Sequence, residues 1–369
     1  METLALILGS GFSCEAELPA TSKLFLDELP RVPDTFSHRP DYNGDLEQSI
    51  NDKITSIILD FWGTVFGYHN DAVRPTLEDH FTVLDLSANS GHYLGSAYSP
   101  RQLRAIRRMS IHRIFQVLDR KYKPSGGLQE FVKTILKRFE LSVVSLNWDV
   151  VWEKEMTKNA CPFHFGIKVS DVVSQSPQIE GIPILKMHGS SNWLYCDSCR
   201  RIYTGDEGNT KKALHSRAFL ETGDFGLFDE KYRLRGEEKS YIETAQIMCP
   251  RCSVKLAGRI ATFSYRKAFT INQFQTIWDE AFDALSNAKY WLFIGYSMPQ
   301  ADFEFRHLLK STELARGVVP LKDVQAILLD DREGEERFRT YFGSRVSAIH
   351  QRGLSDWVHQ QMPNYANDY

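Results

Sequence analysis

Six short apolar segments, each ending in a turn, constrain the fold of this chain more than any other feature. They are nearly continuous in apolar character, which is typical of strands buried on both faces of a parallel sheet. The segments are Leu4–Leu8, Val143–Leu146, Ile182–Met187, Trp291–Ile294, Val324–Leu329 and Val346–Ile349. The stretch "FQTIWDEAFDALSNAKYW" has the apolar spacing of a helix. Its apolar residues on one face are Ile277, Ala281, Phe282, Leu285 and Ala288. Strands that alternate with helices predict an α/β fold with a doubly wound parallel sheet.

Two stretches interrupt this alternation and predict additional units. Residues 40–138 have mostly helical patterns, which predicts a helical insertion after the first strand–helix unit. Residues 196–257 contain paired cysteines, which predicts a small zinc-binding module. Within it, residues 204–240 are charged and contain glycine, so a long loop or mobile hairpin is expected. The remaining ranges are assigned to a Rossmann-like domain: 1–39, 139–195 and 258–369.

Composition and charge exclude several classes of protein. The 369 residues are 42% apolar and 25% charged, as expected for a globular protein with a sizeable core. The net charge of −3 provides no basic field, which argues against direct nucleic-acid binding. No apolar run approaches the length of a membrane span. The residues from Met1 to Thr3 carry no positive charge, and the apolar run ends at Leu8, which argues against a secretion signal. A cytoplasmic protein is expected.

Four of the six cysteines form two close pairs, which suggests a metal site rather than disulfides. Cys196 and Cys199 form one pair, and Cys249 and Cys252 form the other. This spacing is typical of tetrahedral zinc sites. Four sulfur ligands close the coordination sphere, so the predicted role of the zinc is structural and not catalytic. The alternative is four reduced, unpaired thiols.

The first predicted strand runs into Gly9-Ser10-Gly11, and two interpretations of this turn remain open. Glycines permit a tight bend and let backbone N–H groups approach a phosphate. The complete dinucleotide fingerprint requires a third glycine, and position 14 is a cysteine instead. The turn is therefore either a nucleotide-binding turn or a plain strand-to-helix bend.

Polar residues follow three other predicted strands. Ligands of open α/β sheets bind at the carboxyl ends of the strands, so these residues are candidates for a common site. Asn147 and Asp149 follow one strand, His188 follows another, and Gly295 and Ser297 follow a third. Alternatively, Asn147 makes a local turn, Asp149 caps the next helix, and His188 is a structural histidine.

Taken together, these motifs resemble the sirtuin superfamily over nearly the whole chain. The matching pieces are "GSGFS" (9–13), "SLNWD" (145–149), "KMHGS" (186–190), the two cysteine pairs and "GYS" (295–297). Their order and spacing resemble the family pattern. The resemblance implies a Rossmann-like NAD-binding fold with a structural zinc.

Other stretches depart from the protein deacylases of this superfamily. Where deacylases continue with Gly-Ile-Pro-Asp-Phe-Arg, this chain has "ELPATSKLF"; where they have a Phe-Gly-Glu strand, it has "GRIATFSYRKAF". The stretches "ELPAT", "HGSSNW", "YRKAF" and "FIGYSMPQADFEFRHLL" instead resemble the sirtuin-like NAD hydrolases of bacterial antiviral defence.

This resemblance implies a role for each candidate residue. Asn147 and His188 would be catalytic in an NAD glycohydrolase that cleaves the nicotinamide–ribose bond. Asn147 would hold the ribose hydroxyls or the attacking water, and His188 would act as the base. The residues implied in cofactor binding are Gly9, Ser10, Gly11, Ser13, Asp149, Gly295 and Ser297. Asp330 or Asp331 would contact a ribose or remain solvated.

An unregulated NAD hydrolase would harm its own cell, so the resemblance also implies gating by assembly or by a partner. The expected form is an abortive-infection effector that is a homo-oligomer, with a separate sensor such as a HerA-type ATPase. Four arginines of the insertion form a group, three near one helical face and Arg107 beside them, that could meet an acidic partner or nucleic acid, or could simply be solvated. They are Arg101, Arg104, Arg107 and Arg108. Two alternatives are an NAD-dependent protein deacylase and a non-catalytic NAD or ADP-ribose sensing scaffold.

Overall fold

A computed structural model defines the fold and describes most of the chain. The described residues are 1–20, 24, 44–69, 74–89, 94–123, 125–167, 169–171, 180–204, 217–258, 272–315, 321 and 323–360. Their strands are Glu2–Leu8 (β1), Phe139–Ser145 (β2), Phe163–His164 (β3), Val169–Asp171 (β4), Ile182–Lys186 (β5), Trp193–Cys196 (β6), Arg201–Thr204 (β7), Tyr290–Ile294 (β8), Asp323–Ile327 (β9) and Val346–His350 (β10). Their α-helices are Ser10–Cys14 (α1), Gly44–Phe66 (α2), Leu77–Asn89 (α3), Pro100–Lys121 (α4), Gly126–Arg138 (α5), Val151–Lys158 (α6), Gly236–Glu243 (α7), Asn272–Asn287 (α8), Phe303–Ala315 (α9), Arg332–Phe342 (α10) and Gly353–Gln360 (α11).

Seven strands form one parallel sheet in the order β10-β9-β8-β1-β2-β5-β3. All six apolar segments of the sequence lie in it, so the predicted α/β fold with a doubly wound parallel sheet is confirmed. The last five residues of β1 and all of β8 are buried, because helices cover the sheet. Helices α5, α8, α10 and α11 contact its strands.

The strand order reverses at β1, and this reversal positions the candidate site. From β1 the chain proceeds to β2 and β5 on one side, and later to β8, β9 and β10 on the other. Leu8 is level with Ser145 of β2 and with Ile294 of β8, so the three strands end together. Connections diverge from such a reversal and leave a crevice at the carboxyl ends of the strands.

The predicted helical insertion contains α2, α3 and α4, which pack on one another between β1 and β2 in the chain. Helix α5 packs instead on β2 and on α11. Of the four arginines singled out in the sequence, all in α4, three are engaged within the molecule. Arg104 donates to the Ala88 carbonyl (2.8 Å), Arg107 pairs with Asp85 (2.8 Å) and Arg108 with Asp224 (2.9 Å). Arg101 is exposed.

A three-stranded sheet in the order β4-β7-β6 carries the first cysteine pair. The loop predicted over 204–240 is partly wrong, because residues 222–227 and 230–232 are 3-10 helices and α7 begins at Gly236. Residues 205–216 lie outside the described part of the chain. None of the helices in the described ranges combines the length and apolar character that a membrane crossing requires.

Candidate active site

A cavity of about 1160 Å³ lies at the carboxyl ends of β1, β2, β5, β8 and β9. Its volume suits a ligand as large as a nucleotide cofactor. Seven of the candidate residues line it: Gly9, Ser10, Gly11, Asn147, His188, Gly295 and Ser297. Ser13 and Asp149, also predicted to bind the cofactor, are buried behind this lining. Residues 74–78 of the helical insertion form one wall.

The glycine turn packs tightly against the turn that follows β8. The Gly9 amide donates to the Ile294 carbonyl and the Gly11 amide to the Gly295 carbonyl, both at 2.9 Å. A Cβ on Gly11 would lie 2.6 Å from the Cα of Gly295, and Gly295 itself has φ of +61°. Glycine is therefore required by close backbone packing. Because these two amides already have acceptors, they are not available to bind a phosphate.

The Asn147 carboxamide is oriented by a hydrogen-bond chain that starts at Asp149. The Ser13 hydroxyl donates to Asp149 Oδ2 (2.7 Å), so Ser13 Oγ can only accept from Asn147 Nδ2 (3.1 Å). Asn147 Nδ2 also donates to the Gly9 carbonyl (2.8 Å). Both amide protons are thus used, and Asn147 Oδ1 is the atom that can accept a hydrogen bond from a ligand.

Asp149 also anchors this chain to the backbone of the next helix. Its Oδ1 accepts from the Val151 amide at the start of α6 (3.0 Å), which is the capping role considered for it. Below it, Lys186 and Glu153 form a fully buried ion pair (3.0 Å). Burial raises the pKa of Glu153, and the Lys186 charge opposes that rise. Ser13 and Asp149 therefore position Asn147 and do not line the cavity themselves.

The His188 imidazole is 1% exposed and held in one orientation. Its Nδ1 lies 3.0 Å from the Leu146 carbonyl, which can only accept, so Nδ1 carries the proton in the neutral ring. Nε2 then carries the lone pair and can take up a proton. It lies 4.0 Å from Oδ1 of Asp302.

Two carboxylates that line the cavity were not identified as site residues from the sequence. Asp302 follows β8 in a 3-10 turn, lines the cavity and is 6% exposed. Glu78 comes from the first turn of α3 and lines the same cavity. Burial raises the pKa of Glu78, and the negative charges of Asp302 and Asp79 add to that rise. The position of Asp302 after a strand end was a signal, whereas nothing in the sequence linked Glu78 to the sheet.

The end of the cavity beside β9 is also acidic. Glu15 accepts from the Leu354 and Ser355 amides at the start of α11 (3.2 and 3.3 Å). Asp331 lines the cavity and caps α10 by accepting from the Gly334 amide (2.8 Å). Of the two aspartates considered for ribose contact, Asp331 is the one at the cavity, and Asp330 is exposed outside its lining.

The four paired cysteines converge beside the smaller sheet, where Cys196 ends β6. Their sulfur atoms all lie within 4.8 Å of one another. Cys196 and Cys252 are 3.3 Å apart, and Cys199 and Cys249 are 3.6 Å apart. Tetrahedral zinc with Zn–S bonds of 2.3 Å separates its sulfurs by about 3.8 Å, so the donor set fits zinc. Burial raises the pKa of the Cys249 thiol, but hydrogen bonds from Tyr203 and the amides of Arg251 and Cys252 outweigh it and lower the pKa to about 6.

The resemblance motif "YRKAF" (265–269) lies outside the described residues, as does the last residue of "ELPAT" (17–21).

Comparisons with known proteins give a structural likeness without a sequence match. No protein-family model matches the chain, and no curated protein matches it. Among solved structures, a Sir2 with a p53 peptide and NAD+ is similar at 11% identity and a TM-score of 0.42, covering 99% of this chain and 94% of its own. Sir2Tm bound to a propionylated peptide is similar at 12% identity and a TM-score of 0.42, covering 98% and 93%.

Proposed function

We propose that this protein is an NAD+ glycohydrolase that cleaves the nicotinamide–ribose bond to give nicotinamide and ADP-ribose. The observation that carries the proposal is that Asn147 and His188 line one cavity where the strand order reverses, with the acceptor atoms Asn147 Oδ1 and His188 Nε2 left for a ligand by the bonds that hold Nδ2 and Nδ1. The sirtuin-like motifs supply these two residues, and the cavity volume suits a dinucleotide. NAD is the substrate in this proposal, and zinc at the four cysteines is structural.

The bond to nicotinamide breaks readily because the pyridinium nitrogen is positively charged, and neutral nicotinamide departs with the bonding electrons. The protein has to orient the ribose and stabilise the oxocarbenium-like cation that remains. Asn147 Oδ1 accepts a hydrogen bond from a ribose hydroxyl. The carboxylates of Asp302 and Glu78 lower the energy of the developing positive charge when ionised.

Water completes the reaction by bonding to the anomeric carbon. His188 Nε2 and Asp302 Oδ1 are 4.0 Å apart. For a water oxygen about 2.8 Å from each of them, the angle at the oxygen between the two acceptors is about 90°, close to the angle between its two O–H bonds. His188 and Asp302 can thus accept one hydrogen bond each and leave a lone pair for attack. His188 takes up the released proton, so NAD+ and water give nicotinamide, ADP-ribose and H+. A positioned base contributes about 10²–10⁴-fold.

In a cell, the proposal extends to an abortive-infection effector of bacterial antiviral defence. Such an enzyme must be gated, by assembly of a homo-oligomer or by a partner such as a HerA-type ATPase, and would act in the cytoplasm. This extension is supported by the motif resemblance alone.

The test is chromatography of NAD after incubation with purified protein and no peptide, over a range of protein concentrations. Wild type should release nicotinamide and ADP-ribose, whereas His188→Ala and Asn147→Ala should fold and release neither. His359→Ala changes an exposed histidine that does not line the cavity and is the matched control. Near-wild-type turnover in either site variant would remove that residue from the mechanism. Nicotinamide release that requires an acylated peptide would establish a deacylase, and binding without turnover would establish a sensor.

The gating is tested in cells that express wild type or His188→Ala and are challenged with phage. Cellular NAD should fall only with wild type and only after infection. NAD loss without infection would contradict gating.

A further inference from the structure

The cavity wall that the helical insertion contributes carries a positively charged side chain, that of Arg74. Five carboxylates line the cavity, on Glu15, Glu17, Glu78, Asp302 and Asp331. Among the described lining residues, Arg74 is the one arginine or lysine. A diphosphate entering this cavity meets mostly negative charge, so its binding requires a positive group placed where the phosphates lie.

The glycine turn does not meet this requirement. The Gly9 and Gly11 amides, which the sequence offered as phosphate donors, are bonded to carbonyls of the turn after β8. Helix α1, which follows the turn, has only five residues and contributes little dipole. The positive charge that a diphosphate requires therefore has to come from another part of the cavity.

The Arg74 guanidinium is held in place but not saturated. Its Nε donates to the Tyr68 hydroxyl (3.3 Å), and the Tyr68 ring packs edge-on against buried Trp62 (5.6 Å between centroids). Its Nη1 is buried, and among the described residues it has no hydrogen-bond partner. Buried Pro75 and Leu77 anchor the backbone beside it. A buried guanidinium nitrogen without an acceptor is costly, and an anion in the cavity would remove that cost.

The cavity carboxylates do not neutralise Arg74 by direct contact in the described structure. Glu15 and Asp331 bond to amides at the starts of α11 and α10, and Glu17 pairs with Lys123 (2.7 Å). Glu78 and Asp302 interact with each other near His188. Positive and negative groups of the cavity thus serve different parts of a ligand.

We propose that Arg74 binds the diphosphate of the nucleotide, so that the helical insertion completes the nucleotide site. The inference rests on the proposed function for the identity of the nucleotide, but the ligand chemistry it requires is a diphosphate. A guanidinium offers two parallel N–H donors to phosphate oxygens, which a lysine cannot match. Because Arg74 precedes α3, nucleotide binding and the position of the insertion become coupled, which gives a partner bound to the insertion a route to the site.

The experiment is calorimetric titration of the full chain with inorganic pyrophosphate, ADP-ribose and adenosine. Wild type should bind all three. Arg74→Gln should weaken pyrophosphate and ADP-ribose by about 10- to 100-fold, the loss expected for a charged hydrogen-bond donor, and leave adenosine within about twofold. Arg74→Lys should recover part of the loss. Arg101→Gln, which changes an exposed arginine of the same insertion, should match wild type.

Three outcomes would overturn the inference. These are failure of wild type to bind pyrophosphate, wild-type affinity for pyrophosphate in Arg74→Gln, and an equal loss of adenosine binding, which would mean that Arg74 only maintains the shape of the cavity. NAD turnover is scored separately. If wild type binds pyrophosphate through Arg74 but does not cleave NAD, the proposed function fails and the phosphate assignment stands.

Discussion

The substitution Ser13→Ala tests whether Ser13 contacts the cofactor, as the motif resemblance implied, or positions Asn147. Ser13 is 2% exposed and sits between Asp149 and Asn147, not on the cavity wall. The substitution removes a 2.7 Å hydrogen bond to a buried carboxylate, which contributes about 1.5–3 kcal/mol. For a chain of this length, a loss of about 2 kcal/mol lowers Tm by about 3 °C.

The effect on catalysis follows from the bond that remains. Asn147 keeps its 2.8 Å hydrogen bond to the Gly9 carbonyl, but its second amide N–H loses its acceptor, the Ser13 hydroxyl. The carboxamide then samples other rotations, and kcat should fall about 10- to 100-fold because orientation is lost. KM for NAD should stay within about twofold, because Ser13 does not line the cavity. The assays are thermal unfolding and steady-state release of nicotinamide.

Ser10→Ala is the matched control for stability, since Ser10 lies in the same short helix and its hydroxyl makes no hydrogen bond within the described residues. Its free energy of unfolding should change by no more than about 0.5 kcal/mol. A raised KM with unchanged kcat in Ser13→Ala would show that Ser13 contacts the ligand directly. Unchanged stability and unchanged kinetics would refute the hydrogen-bond chain.

Two further predictions concern stability. The pKa of Glu78 is raised above its unfolded value of 4.5, so the protonated form favours folding at low pH and this contribution is lost as pH rises through the folded pKa. Glu78→Gln, which resembles the neutral form, should therefore melt above wild type at pH 8 and lose that advantage near pH 4.5; an advantage independent of pH would contradict the burial effect. At the cysteine cluster, metal analysis of purified wild type should find one zinc per chain. Cys249→Ser should lose the zinc and melt lower, whereas Cys161→Ser, outside the cluster, should keep it. Zinc retained by Cys249→Ser would rule out the four-sulfur site.

Local sequence determined the sheet and the residues at its edge. Strands buried on both faces must be apolar along their whole length, so all six segments were recognisable without knowledge of their neighbours. Polar residues after a parallel strand lie at its carboxyl end by chain geometry. This is why Asn147 and His188 could be placed at one edge from their positions in the sequence.

Tertiary packing decided what each group at that edge can do. Whether the Gly11 amide faces a phosphate or a carbonyl depends on how closely the turn after β8 approaches, which residues 9–11 do not encode. The proton on His188 is assigned by the Leu146 carbonyl, and Asn147 is oriented by Ser13. Arg74 lies far along the chain from every strand end, and only the packing of the insertion brings it to the cavity. Sequence periodicity reports burial along one element, whereas hydrogen-bond direction and charge placement arise between elements.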